Sequence, residues 1–303
     1  MTPAITIEKL SKTYLGKRRQ QVVALKELGL TVAPGEVFGF LGPNGAGKST
    51  TIKILVGQLR PTGGVARIFG APVDSHQARR RIGYLPENPA FYDFLTAQEY
   101  LELVGRCHSM SPEAISRESG RVLALLELAD AARRPIRGYS KGMVQRLGLA
   151  QALLHAPDLF ILDEPMSGLD PVGRALVKEI MLELKRQGKT VFFSTHVIAD
   201  VEAVCDRVGI VSKGELRADN TVSDIVAAGI DGYQLRLGKE PPADLEAYRV
   251  ENAPDGTTLF VPCENFRAVL SRLDQAGCPV LLIDPQRRSL EDFFLKTIKQ
   301  DHV

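Results

Sequence analysis

The chain is 303 residues long, 44% apolar and 24% charged, with 38 Lys and Arg against 36 Asp and Glu. That composition excludes a disordered chain, and the length gives room for about two ordinary domains, each with its own core. A formal net charge of +2 supplies no electrostatic ground for a nucleic-acid partner. The basic runs at 17–19 and 79–81 read as solvated surface. Four cysteines, Cys107, Cys205, Cys263 and Cys278, form no C-x-x-C pair and have no His at metal-ligand spacing. Reduced cytosolic thiols are therefore expected, not a zinc site or a disulfide framework. No basic-then-apolar leader is present, and no apolar run approaches the roughly 18 to 20 residues that span a bilayer. A role at a membrane would need a pore supplied by another chain.

In chain order, the first strong element is the apolar run 36–41, a strand that passes at once into Gly42-Pro43-Asn44-Gly45-Ala46-Gly47-Lys48-Ser49. Residues 49–56 then carry helical spacing. Thr96 and Glu99 form a capping box that leads into Tyr100, Leu101 and Val104, and Ser111-Pro112 starts a further helix. An apolar strand at 159–162 ends in Asp163-Glu164, and a second lies at 190–194. Between them is a helix that Asp170 caps, that Pro171 opens and Gly188 ends, with Leu176, Ile180 and Leu184 on one face. The alternation of strand and helix predicts an α/β domain over the first 220 or so residues. From about Val222 the composition shifts. A loop at 238–242, β-like runs around Leu235, Leu259 and Leu281, and helical patterns at 266–273 and 290–298 predict a small α+β appendage. There are no internal repeats and no low-complexity tract.

The Gly-rich loop carries the first chemistry. Gly-x-x-x-x-Gly-Lys-Ser/Thr arises by chance in roughly one chain in a hundred of this length, and here it stands between a strand and a helix. Its glycines let backbone N–H groups turn inward around phosphates, the helix N-terminus adds its positive dipole end, and Lys48 supplies a point charge. Ser49 offers the hydroxyl that such loops give to Mg2+. Two carboxylates at the end of a buried strand are costly unless something cationic or proton-exchanging uses them. Asp163 fits as a Mg2+ ligand, direct or through water. Glu164 fits as the residue that orients or deprotonates an attacking water.

Between those elements lies Tyr139-Ser140-Lys141-Gly142-Met143, followed by Gln145-Arg146. With the phosphate loop upstream and the carboxylates downstream, about the first 215 residues resemble the ATP-binding-cassette ATPases. The resemblance is to the Tyr-Ser-Lys-Gly-Met form of the signature, not the commoner Leu-Ser-Gly-Gly-Gln. It implies a P-loop NTPase (RecA-like) core with an N-terminal antiparallel β subdomain. An ATPase domain over 1–221 would hold a helical subdomain at about 88–157, and an accessory α+β domain would occupy 222–303. It implies ATP and Mg2+ as cofactors, with Lys48, Glu164 and His196 as catalytic residues and Ser49, Asp163 and Glu87 as metal ligands. Tyr14 would stack on adenine, and residues 42–50, ending at Thr50, would hold the phosphates. Asp170 would end a loop, Ser167-Gly168-Leu169-Asp170, that crosses to a partner cassette.

Resemblance also implies a head-to-tail dimer in which Ser140 and Gly142 complete the site of the other chain. The assembly would be a homodimer, or a heterodimer with a similar cassette, on the cytoplasmic face of a membrane through separate transmembrane permease subunits. Glu87 stands where the family usually has Gln, Lys141 replaces Gly and Met143 replaces Gln; Lys141 itself reads as a surface lysine turned to solvent. The first two departures resemble a subgroup that serves ABC-2-type transporters, mostly exporters, and the tail 288–295 resembles the end of that subgroup's extension. The rival reading is a soluble cassette ATPase that acts on nucleic acid or ribosomes. Many such DNA-processing relatives insert long coiled coils and the ribosomal ones usually carry two cassettes, features this sequence lacks. The transported substrate is set by the pore and is not written here.

Overall fold

The computed structural model describes residues 2–15, 20–227, 230–250, 258–287 and 290–299. The basic run 17–19 and residues 288 and 289 of the tail lie outside the described residues. Two strands, β1 (Ile5–Leu15) and β2 (Gln21–Val32), pair antiparallel. Strand β3 (Val37–Leu41) enters the phosphate loop and helix α1 (Lys48–Leu55). Strands β4 (Gly63–Ile68) and β5 (Ala71–Pro72) return to the first sheet, whose order is β2-β1-β4-β5. Helix α2 (His76–Arg80) and strand β6 (Ile82–Leu85) precede an arm of three helices, α3 (Ala97–Cys107), α4 (Pro112–Leu125) and α5 (Lys141–Leu153). The chain then alternates through β7 (Leu159–Asp163), α6 (Pro171–Arg186), β8 (Thr190–Thr195), α7 (Ile198–Val204), β9 (Arg207–Ser212), β10 (Glu215–Thr221) and α8 (Val222–Ala227).

The second sheet has six strands in the order β10-β9-β3-β8-β7-β6, parallel except for β10. Strands β3, β7 and β8 are buried along their whole length, as a parallel sheet covered on both faces requires, so they read as apolar runs and not as alternating ones. The period of two still sorts their side chains. Phe38, Phe40, Ile161 and Phe192 enter one core with the first sheet and α1. Val37, Phe160, Leu162, Val191 and Phe193 enter the other with the helical arm and α6. Phe38 and Phe192 stack at 5.7 Å. Because β3, β7 and β8 run parallel in register, with Leu41 opposite Thr195 and Asp163 opposite Ser194, the segments that follow them leave from one edge. Parallel sheets bind ligands at that carboxyl edge.

The arm forms where capping chemistry starts it. Thr96 Oγ1 accepts from Glu99 N at 3.2 Å, and Glu99 Oε2 accepts from Thr96 N at 2.8 Å, a reciprocal capping box. Ser111 caps α4 ahead of Pro112, Ser140 caps α5, and Asp170 caps α6 ahead of Pro171. Arg81 departs from the solvated reading of its basic run. It donates twice to Asp158 Oδ2, at 3.0 and 2.8 Å, and its guanidinium lies 3.6 Å over the Phe69 ring.

After Val222 the chain passes into a second compact unit, Ser223–Lys299. Its antiparallel sheet, of order β12-β11-β13, is built from β11 (Ile230–Leu237), β12 (Thr258–Pro262) and β13 (Val280–Arg287). Helix α9 (Phe266–Gln275) lies between β12 and β13 in the chain, and α10 (Leu290–Lys299) follows them. Its own core gathers Leu235, Leu259, Val261, Val269 and Leu273.

Candidate active site

The phosphate loop leaves β3 and turns into α1 at Gly47, whose φ of +109° belongs to the left-handed side that only glycine adopts freely. A Cβ there would sit 2.7 Å from Leu25 Cδ2 and 2.9 Å from Ala24 O, and one at Gly42 would sit 2.4 Å from Val211 O. Pro43, Asn44 and Gly45 form the exposed tip, while Ala46 is buried. The first intrahelical bond is Thr51 N to Gly47 O at 3.0 Å. The N–H groups of Lys48, Ser49 and Thr50 therefore have no acceptor within the helix, and the helix presents them with its positive end.

Lys48 is buried, and its ammonium donates to Gly42 O at 2.6 Å and Pro43 O at 3.2 Å. Burial lowers its pKa, a shift opposed by the charges of Glu164, Asp163 and Glu87. Lys48 Nζ also lies 3.8 Å from Glu164 Oε1, which bonds on its other side to His196 Nδ1 at 3.0 Å. The carboxylate only accepts, so the imidazole proton is on Nδ1 in this contact, which leaves Nε2 for another partner. Glu164 reaches both because its backbone is in the left-handed region, with φ +48°. Such a conformation is uncommon for a side-chain-bearing residue and is held by its surroundings.

Ser194 does much of that holding. Its Oγ donates to Asp163 Oδ1 at 2.6 Å and accepts from Glu164 N at 3.0 Å. Gln145 Nε2, buried on α5, donates to Glu164 O at 3.5 Å and Pro165 O at 3.4 Å. Asp163 is 2% exposed, and its Oδ1 also accepts from Ser49 Oγ at 3.4 Å. Burial of the Tyr84 ring and, to a smaller extent, the Asp163 charge push the Tyr84 phenol up to about 12. Among the described residues no group of three His, Cys, Asp or Glu could hold a metal ion. A cation beside Ser49 and Asp163 would need oxygens from a bound ligand, the donor set of a hard ion that takes one carboxylate with phosphate oxygens.

Lys48, Ser49, Asp163, Glu164 and His196 thus converge, with Gly42 and Pro43 bonded to Lys48. Tyr14, 37% exposed, contacts Thr50 Oγ1 through its hydroxyl at 3.4 Å and has Lys12 Nζ 5.3 Å from its ring centroid. Glu87 is exposed, yet its charge acts on Lys48. Asp170 uses Oδ1 to accept from the N–H of Gly173 at 2.9 Å. Ser140 and Gly142 open α5 and form no hydrogen bond to the convergent group; Ser140 Oγ accepts from Met143 N at 3.3 Å. Lys141 is exposed as expected, but its stem is not turned to open solvent. A Cβ on Gly168 would meet its Cε at 2.6 Å, so the chain lies along the loop before α6. Ser194 and Gln145 were not expected as site residues, since a hydroxyl in an apolar strand and an amide on a helix carry no spacing signal of their own.

A family model described as ABC transporter matches residues 25–167. An uncharacterized ABC transporter ATP-binding protein of Synechocystis sp. is 40% identical over 287 residues, which cover 93% of this chain and 80% of that protein. The Nod factor export ATP-binding protein I of Paraburkholderia xenovorans is 35% identical over 300 residues, covering 97% of this chain and 96% of its own length. Among solved structures, a dimeric post-hydrolysis state of an ATP-binding cassette, bound to ADP and Pi, matches with a TM-score of 0.67 at 27% identity. That match covers 72% of this chain and 98% of the other. Fold, site and likeness agree on a P-loop cassette, and the chain belongs to the family of ABC transporter ATP-binding proteins.

Proposed function

We propose that the chain is a Mg2+-dependent ATP hydrolase that works in the cytoplasm as one of a pair of cassettes, on separate transmembrane permease subunits, in an exporter of the ABC-2 type. The observation that carries the hydrolase reading is the meeting of Lys48 and His196 on the Glu164 carboxylate, at 3.8 and 3.0 Å. Lys48 and the N–H groups of the first turn of α1 hold the outer phosphates. Ser49 and Asp163 would hold Mg2+, with Glu87 as a further oxygen ligand. The ion supplies charge neutralisation on the phosphate oxygens. Glu164 takes up the water's proton or orients the water for in-line attack, and His196 keeps that carboxylate in place, leaving its Nε2 for the transferred group. Tyr14 offers its ring to adenine.

Ser140 and Gly142, which make no bond to their own chain's convergent residues, are free to serve a second copy or a similar cassette, with the loop ending at Asp170 beside them. The dimeric form of the related cassette and the name of the export relative support this reading. Among the described residues no helix is long and apolar enough to cross a membrane, so the transported molecule would be chosen by another chain. The test is reconstitution. A multispanning membrane protein that copurifies at native expression should, in vesicles, raise ATP turnover and move a solute only with wild-type Glu164. Turnover stimulated by ribosomes or nucleic acid instead would replace this reading with the soluble one.

A further inference from the structure

The two segments that leave the site, one after Glu164 and one after His196, are joined by an ion cluster around a buried carboxylate. Asp200, in the first turn of α7, is 2% exposed. Its two carboxylate oxygens each accept from Arg174 Nη2 at 2.9 Å, and Oδ1 lies 2.9 Å from Lys178 Nζ. Arg174 and Lys178 stand one turn apart on α6, the helix that Asp170 caps. Arg174 and Asp200 line the same cavity of about 170 Å³ as Glu164, Thr195 and His196.

Helix α7 needs such an anchor. It has seven residues and no side-chain cap, and a helix that short has little stability of its own. His196 stands two residues before it, on an exposed link, with its side chain 55% accessible. A buried carboxylate must be paired, but one cation would suffice for neutrality. Two of them fix it from two directions.

We infer that Asp200, held by Arg174 and Lys178, is a positioning residue: it anchors α7 and, through Thr195, His196 and Val197, keeps the imidazole against Glu164. The inference rests on the ATP-hydrolase reading above. In the full-length protein, Asp200→Asn should lower kcat for ATP by about tenfold or more while Kd for ATP changes by less than about twofold. In a His196→Gln background the same substitution should cost less than about threefold, because residues that act through one another are not additive. The pair Asp200→Asn with Lys178→Met keeps the net charge of the cluster and guards against a folding defect; it should reproduce the kcat loss. Equal losses in both backgrounds, weakened ATP binding, or an unchanged kcat in a folded variant would overturn the inference alone. A wild-type chain that turns over no ATP would overturn the functional reading and this inference with it.

Discussion

Ser194 is where one hydroxyl orders two carboxylates, since it accepts from the Glu164 N–H and donates to Asp163. Ser194→Ala removes both bonds, leaving the partly buried Glu164 N–H unpaired and Asp163 Oδ1 with only the longer bond from Ser49. Leaving a buried donor unpaired costs about 1–3 kcal/mol. We expect kcat to fall by roughly tenfold, with ATP affinity little changed because Lys48 and the loop are untouched; steady-state turnover and equilibrium nucleotide titration read the two separately. Asp163 and Glu164 were legible in the sequence because they stand together at the end of an apolar run. Ser194 was not. It is 31 residues from Asp163, and only the parallel register of β7 and β8 brings the two opposite each other. The reach of Glu164 was hidden for a different reason, because a positive φ at a non-glycine residue leaves no mark in composition.

At the scale of elements, caps and apolar runs were legible from local pattern, and the first sheet only through the family resemblance, which implied an N-terminal antiparallel β subdomain. The strands before the two carboxylates and before His196, and the helices begun by Thr96, Ser111 and Asp170, each carry a local cause that one stretch of sequence contains. Strands β1 and β2 do not. Their pairing shifts register between Ile7 and Leu10, Leu10 and Lys12, and Lys12 and Thr13, and each slip moves side chains to the other face, which erases the alternation a strand is recognised by. The junction between arm and core hides a pH dependence as well. His155 lies within 3.1 Å of Ile82 O through Nε2, which must be the donor, and its buried Nδ1 has no partner. Its ring stacks on His108 at 3.7 Å. Burial, aided by His108, lowers the His155 pKa to about 4, and burial with the Arg80 charge lowers that of His108. Above the unfolded value of about 6.5 both states are neutral. As pH falls below it, the unfolded chain binds protons that the folded chain refuses, so stability is lost between about 6.5 and 4. The melting temperature should drop by a few degrees between pH 7.5 and 5, and His155→Gln should remove part of that drop. An identical pH response in the variant would show that His155 is not its source.

For the whole molecule, the arrangement of parts matters more than any single contact. The convergent residues lie at the carboxyl edge of the parallel sheet, while Ser140 and Gly142 lie at the start of α5 without a bond to them. The proposal that a second chain finishes the site starts from that separation, and the sequence could suggest it only through family resemblance, because no local pattern encodes a partner. Lys141 was the least legible residue of the signature. Its position along Gly168 ties the start of α5 to the loop before α6, a contact that depends on how two distant segments fold together. The central claim is that Glu164, set between Lys48 and His196, drives hydrolysis at a site shared by two chains. The most direct measurement follows phosphate release and sedimentation of Glu164→Gln in Mg2+ and ATP. We expect retained ATP binding, a dimer in ATP that is absent without it, and turnover reduced by about a hundredfold or more. Turnover near the wild-type rate, or a chain that stays monomeric with ATP bound, would contradict the account.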